Sequence, residues 1–124
     1  MADETTGWVV TAAHAADAKQ GDEIVVLEVG EVLAITGWFL VTSAGNTRQV
    51  ATIAEEIERR VAEVGGPKPL RMEGLDDHHW VLMDYGDFVV HVFLTETRHY
   101  YELERLWADV PRLDWRAAEV PAGN

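Results

Sequence analysis

The chain has 124 residues, 48% of them hydrophobic, and sets 22 acidic against 10 basic side chains for a net charge of −12. That length predicts one domain with a core of its own, and so large an apolar share excludes a disordered chain. No apolar run approaches the ~20 residues that span a bilayer, and the absence of cysteine excludes disulfide scaffolds, thiol nucleophiles and cysteine-based zinc sites. So acidic a surface argues against direct nucleic-acid binding, which needs a basic face. It favours basic partners, through a field that salt screens. The acidic start Met1-Ala2-Asp3-Glu4 has no apolar signal core, which points to the cytosol.

Along the chain, Trp8, Val9, Ala12, Ala13 and Ala16 recur at helical steps and predict a helix over residues 6–20, capped by Thr5 or Thr6 and stopped by Gly21. Residues 23–29 form a continuous β-branched run that suits a strand buried on both faces. Residues 34–43 predict a second strand, with Gly37 as its weak point. A turn of small polar residues, Ser43-Ala-Gly-Asn-Thr47, then leads into the stripe Val50, Ile53, Ala54, Ile57, Val61 and Val64. That is one helix face, capped by Asn46 or Thr47 and ended by Gly65-Gly66-Pro67. Glu55 with Arg59, and Glu56 with Arg60, stand in the favourable four-residue order.

Residues 70–73 predict a short strand. Residues 80–84 and 88–94 predict two more, joined by the tight turn Tyr85-Gly86-Asp87. Tyr100, Leu103, Leu106 and Trp107 then lie at the spacing of a last helix, capped by Thr95 or Thr97 and bounded by Pro111. Residues 112–124 show no period and predict a partly disordered tail beyond a domain of residues 1–111. The order α-β-β-α-β-β-β-α predicts an α/β domain with a mixed β-sheet flanked by helices.

Catalytic and metal-binding patterns are thin. Adjacent His78 and His79 after Asp76 and Asp77 do not converge on one ion, and no second ligand pair stands at zinc spacing. His91 sits in an apolar strand and suits a hydrogen-bonded core position. Ser43, the single serine, has no nucleophile elbow around it. The turn at Ser43–Thr47 could cradle phosphate on a helix N-terminus, as nucleotidyltransferase folds do. The paired carboxylates such enzymes need for magnesium do not follow on the next strand. A nucleotide-binding, nucleotidyltransferase-like enzyme is thus the alternative to a binding protein. Asp84-Tyr85-Gly86-Asp87 instead sets an aromatic ring between two acids at a hairpin tip, with Trp80 nearby, the composition of a binding hot spot.

The stretch Trp80-Val-Leu-Met-Asp84-Tyr-Gly-Asp87-Phe-Val-Val-His91-Val-Phe93 resembles the hallmark of the ribosomal silencing factor, or Iojap-related, family. Arg98-His-Tyr-Tyr-Glu-Leu-Glu-Arg-Leu-Trp107 is similar to its ending, Arg48-Gln-Val with Ile53-Ala54 to its helix start, and Glu73-Gly74 to the pair before the tryptophan strand. Gly37, the turn at Ser43–Thr47 and Gln49 depart from the family pattern. The resemblance implies a translation factor without catalytic activity or cofactor and a nucleotidyltransferase-like fold stripped of catalytic carboxylates. It further implies a homodimer that binds the large ribosomal subunit through ribosomal protein fourteen of that subunit and blocks small-subunit joining. With the hairpin pattern, it singles out Trp80, Asp84, Tyr85 and Asp87 as partner contacts, with Arg98, Tyr100, Glu104 and Trp107 as additions. Tyr100 and Trp107 equally suit the packing of the last helix, and Arg98 an ion pair with a neighbouring acid.

Overall fold

A computed structural model describes residues 4–121. The elements are α1 (Glu4–Ala18), β1 (Asp22–Glu28), β2 (Trp38–Ala44), α2 (Thr47–Glu63), β3 (Arg71–Glu73), β4 (Trp80–Asp84), β5 (Phe88–Leu94), α3 (Thr95–Tyr101) and α4 (Leu103–Leu106). The strands make one sheet in the order β1-β2-β5-β4-β3. Only the central pair, β2 and β5, is parallel; the others are antiparallel. The mixed sheet with flanking helices agrees with the element pattern in the sequence.

Side chains alternate across the strands and so make two apolar layers. One face carries Val26, Leu40, Met83, Val90 and Val92 beneath α1 and α2. The small side chains Ala12, Ala13, Ala15 and Ala16 are all buried and let α1 settle closely. Helix α2 buries Val50, Ile53, Ala54, Ile57 and Val61. It starts at Asn46, whose side chain accepts the Gln49 amide at 2.8 Å, one of the donors a helix start leaves unpaired. Glu56 sits at the margin of the buried stripe and draws both Arg59 and Arg60 at 2.7 Å. Their guanidinium groups hold its carboxyl down at about 2. Arg59 divides itself between Glu56 and Glu63, so the predicted pairing with Glu55 gives way to a neighbour nearer the core.

Three local expectations change. Strand β2 begins at Trp38, because residues 34–37 turn: Gly37 donates its amide to the Asp87 carbonyl at 2.9 Å and accepts from Val29 at 3.0 Å. Strand β1 is an edge strand. Val26 and Leu27 are buried on opposite faces while Asp22 and Glu23 are exposed, so its continuous apolar run serves only its second half. The final helix divides at Glu102, whose left-handed φ of 48° separates α3 from α4.

The segment after Pro111 runs along the free edge of β1. Glu28 donates to the Pro111 carbonyl at 2.9 Å, Leu113 donates to Val26 at 2.9 Å, and Arg112 bridges Leu27. Trp115 then enters the core at 5% exposure, its indole N–H on the Ile24 carbonyl at 3.1 Å and its ring against His14. This segment covers an edge that would otherwise present unpaired amides and carbonyls.

Candidate functional site

The second face of the sheet is covered at one end only. Reading across the strands by register, one row is Arg71, Asp84, Val89, Phe39 and Leu27; the next is Glu73, Leu82, His91, Val41 and Val25. Leu103, Trp107 and Val110 pack over the β1–β2 end, with Trp107 edge-on to Phe39 at 5.5 Å between ring centres. Beyond Tyr101, which reaches Trp80, no helix among the described residues covers the Leu82, Asp84 and Val89 part of β4 and β5. Leu82 and Val89 are half-buried there, and the loop after β1 and the residue before β3 raise Ile35, 84% exposed, and Leu70, 76% exposed, beside them. Together with Leu33, Phe39, Asp84 and His91 they line an open hollow of about 370 Å³. An apolar floor with exposed apolar walls and charges at the rim is the make-up of a docking surface.

His91 ties this hollow to a second one. Its Nδ1 accepts the Trp80 indole N–H at 3.1 Å. Since an indole nitrogen only donates, His91 is neutral and carries its proton on Nε2. Burial pushes its pKa down to about 4. Its ring lies edge-on to Phe39 at 4.9 Å. A core histidine was the sequence reading, and the hydrogen bond identifies its partner. From Trp80 an aromatic series runs outward, with Phe93 at 4.7 Å on one side and Tyr101 at 4.9 Å on the other, then Tyr100 at 5.0 Å from Tyr101. Trp80, Tyr100 and Tyr101, with the loop before β4, line an open notch of about 420 Å³. Gly74 makes that loop possible. It holds φ 84°, and a Cβ there would lie 1.9 Å from the Trp80 carbonyl oxygen, so the glycine of the Glu73-Gly74 pair admits no side chain.

The singled-out residues separate into three groups. Trp80 and Tyr100 meet at the notch, and Asp84 stands on the rim of the hollow, accepting the Gly86 amide at 2.8 Å with its carboxylate 3.6 Å from Arg71. Asp87 is exposed at the hairpin turn. Arg98, Glu104 and Trp107 belong to scaffolding. Arg98 is 3% exposed and donates to Glu104 at 2.9 Å, to the Asp22 and Glu23 carbonyls at 3.1 and 2.8 Å, and to Ser43 Oγ at 3.0 Å. It clamps β1, β2, α3 and α4 together, and it makes the ion pair with a neighbouring acid that its sequence position suits. Trp107 likewise takes its packing role.

Tyr85 needs a correction. The sequence pattern displays it as an aromatic anchor at the hairpin tip, but in the fold it points to the opposite face. It is 5% exposed and stacks on Phe88 at 4.4 Å. Burial and the Glu58 carboxylate both push its hydroxyl pKa upward, and that hydroxyl has no hydrogen-bond partner among the described residues. The reason is strand parity: Asp84 faces the hollow, so its neighbour Tyr85 faces the helices. Conversely, Leu82, Val89, Ile35, Leu70 and Tyr101 were missed. Alternation along β4 and β5 would have put Leu82 and Val89 on the Asp84 face, whereas Ile35 and Leu70 lie in irregular segments that carry no period.

No group of three or more histidine, aspartate or glutamate side chains converges as a metal site among the described residues. Ser43 is buried under Arg98, and the Asn46 side chain is taken up by its capping bond. Fold and surface together define a small α/β protein with an open, largely apolar sheet face. The profile described as "Ribosomal silencing factor during starvation" matches residues 2–123. A Bacillus subtilis (strain 168) protein, "Ribosomal silencing factor RsfS", is 41% identical over 103 residues, covering 83% of this chain and 86% of that one. "Mitochondrial assembly of ribosomal large subunit protein 1" of Mus musculus is 30% identical over 102 residues, covering 81% of this chain and 44% of the mouse protein. The crystal structure of a Chromobacterium violaceum protein superposes with a TM-score of 0.75 at 30% identity, covering 89% of each chain. The chain belongs to the ribosomal silencing factor family, whose members are non-catalytic regulators.

Proposed function

We propose that this protein silences translation by docking on the large ribosomal subunit and standing in the way of the small one. The contact on the subunit is a basic protein, ribosomal protein fourteen of the large subunit. The observation that carries the reading is the uncovered half of the sheet, an apolar floor rimmed by Asp84 and continued through Trp80 into an aromatic notch. The acid excess of the whole chain, −12, favours encounter with a basic surface. Family membership and the mouse relative's name, which speaks of assembly of the large subunit, support the same direction. The protein works in the cytoplasm and forms a homodimer, for which exposed Val32 and Leu106 supply apolar area outside the hollow. Its sheet and helices follow a nucleotidyltransferase-like plan in which the chemistry has been replaced by docking.

Pelleting with purified large subunits, followed by a subunit-joining assay, tests this. Asp84→Asn combined with Asp87→Asn removes one charge from the rim of the hollow and one from the adjoining hairpin turn and leaves the core untouched. The double variant should bind several-fold more weakly at low salt and approach the parent as salt screens the field, through ~10 Å at 0.1 M to ~3 Å at 1 M. A parent protein that neither pellets with large subunits nor delays joining refutes the function. Sedimentation equilibrium reads the dimer, which a concentration-independent mass of 13.9 kDa would contradict.

A further inference from the structure

The notch between α3 and the loop before β4 brings together aromatic faces and carboxylates. Tyr100 is 81% exposed and Tyr101 53%, and they stand at 85° to each other with the half-buried Trp80 behind them. Asp77 and Glu96 flank the rings. The Asp77 carboxylate is anchored by the His79 amide at 3.1 Å and keeps 60% of its side chain in solvent. Glu96 makes no ion pair or side-chain hydrogen bond among the described residues. Tyrosine faces attract a cation through their quadrupole, and carboxylates do so through charge. Among the described residues no lysine or arginine lines the notch; His79 is turned to Asp77 at 3.7 Å.

We propose that this notch receives one arginine side chain of the docking partner. The inference rests on the docking function proposed above and names what the aromatic end of that surface recognises. Arginine suits the site better than lysine because its planar guanidinium can lie on a tyrosine face while its edge N–H groups donate to carboxylates on either side. The rings need little ordering on binding. Tyr101 is packed on Trp80, Trp80 on Phe93, and the Trp80 indole N–H is fixed by His91, so the cage is preformed. Tyrosines left this exposed contribute little to the fold, which gives them freedom to serve a contact.

The test has two arms on the full chain. In the first, the isotope-labelled protein is titrated with N-acetyl-arginine methylamide and, separately, with the uncharged citrulline analogue. Saturable shifts of the Tyr100, Tyr101 and Trp80 ring signals are expected with arginine alone. In the second, Tyr100→Ala with Glu96→Gln should weaken pelleting with large subunits by about fivefold or more, while Tyr100→Phe, which keeps the ring face, stays within about twofold of the parent. Both positions are exposed, so circular dichroism and melting should match the parent. Equal shifts with citrulline, or undiminished subunit binding by the Ala/Gln variant, overturn the notch and leave the docking reading standing. A parent that fails to pellet overturns the docking reading, and the arginine titration still decides the notch.

Discussion

Arg98→Ala separates scaffold from contact at the residue where the two are most easily confused. The guanidinium is 3% exposed and spends its donors on Glu104, the Asp22 and Glu23 carbonyls and Ser43. Removing it leaves the mostly buried Glu104 carboxylate of α4, Ser43 and two strand-end carbonyls without that donor. Breaking one side of a buried ion pair costs about 3–5 kcal/mol, a large fraction of the ~5–15 kcal/mol that holds a domain together. At roughly 4 °C per kcal/mol for a chain of this size, the melting point should fall by about 12–20 °C. Urea and thermal unfolding followed by circular dichroism measure this. The Glu104→Gln single and double variants complete a cycle in which the two effects are far from additive. Pelleting with large subunits, run well below the lowered melting point, should show the folded fraction binding like the parent. If Arg98→Ala keeps its stability within ~1 kcal/mol yet loses subunit affinity tenfold, Arg98 is a contact and the clamp assignment is wrong.

Two other outcomes follow from buried groups. Tyr85→Ala should lose about 3–5 kcal/mol of stability, the range for emptying an aromatic core position. Tyr85→Phe should be neutral or slightly stabilising, because the hydroxyl it removes has no partner among the described residues; a Phe variant as unstable as the Ala variant would show that the hydroxyl is bonded after all. His91 makes stability depend on pH. Its folded pKa lies at about 4, below the ~6.5 of an unfolded histidine, so below pH ~6.5 the unfolded chain binds the proton first. Its contribution is therefore fully present above pH ~6.5 and declines as pH falls to about 4, by roughly 3 kcal/mol in all. His91→Phe should flatten the pH profile in that window relative to the parent in urea titrations, and parallel profiles would refute the neutral assignment.

Much of the scaffold can be read from local pattern. The α2 stripe, the Asn46 cap and the β4–β5 hairpin follow from spacing within one segment, where neighbours along the chain are neighbours in space. The hallmark from Trp80 to Phe93 and the ending at Trp107 carried the family without any geometry. The element types also imply a mixed layered sheet. Side-chain direction is a different matter. Tyr85 and Asp84 look alike as members of one turn motif, yet strand parity sends one into the helices and the other to the hollow, and parity is set by the pairing of β4 with β5.

Arg98 offers the same contrast at longer range. Its charge suggests a surface contact, and the pairing with Glu104 is local, but its other three acceptors lie 55 to 76 positions back along the chain, a distance no local pattern spans. The segment after Pro111 has no hydrophobic period because it uses single residues, Leu113 and Trp115, to dock against an edge strand made about ninety positions earlier. The candidate site is the extreme case. Its walls, Ile35 and Leu70, come from two irregular loops and its floor from β4 and β5. Each apolar side chain is unremarked in its own stretch of sequence. Only the sheet order β1-β2-β5-β4-β3, with α3 and α4 stopping short of its far half, gathers them onto one face and leaves that face open.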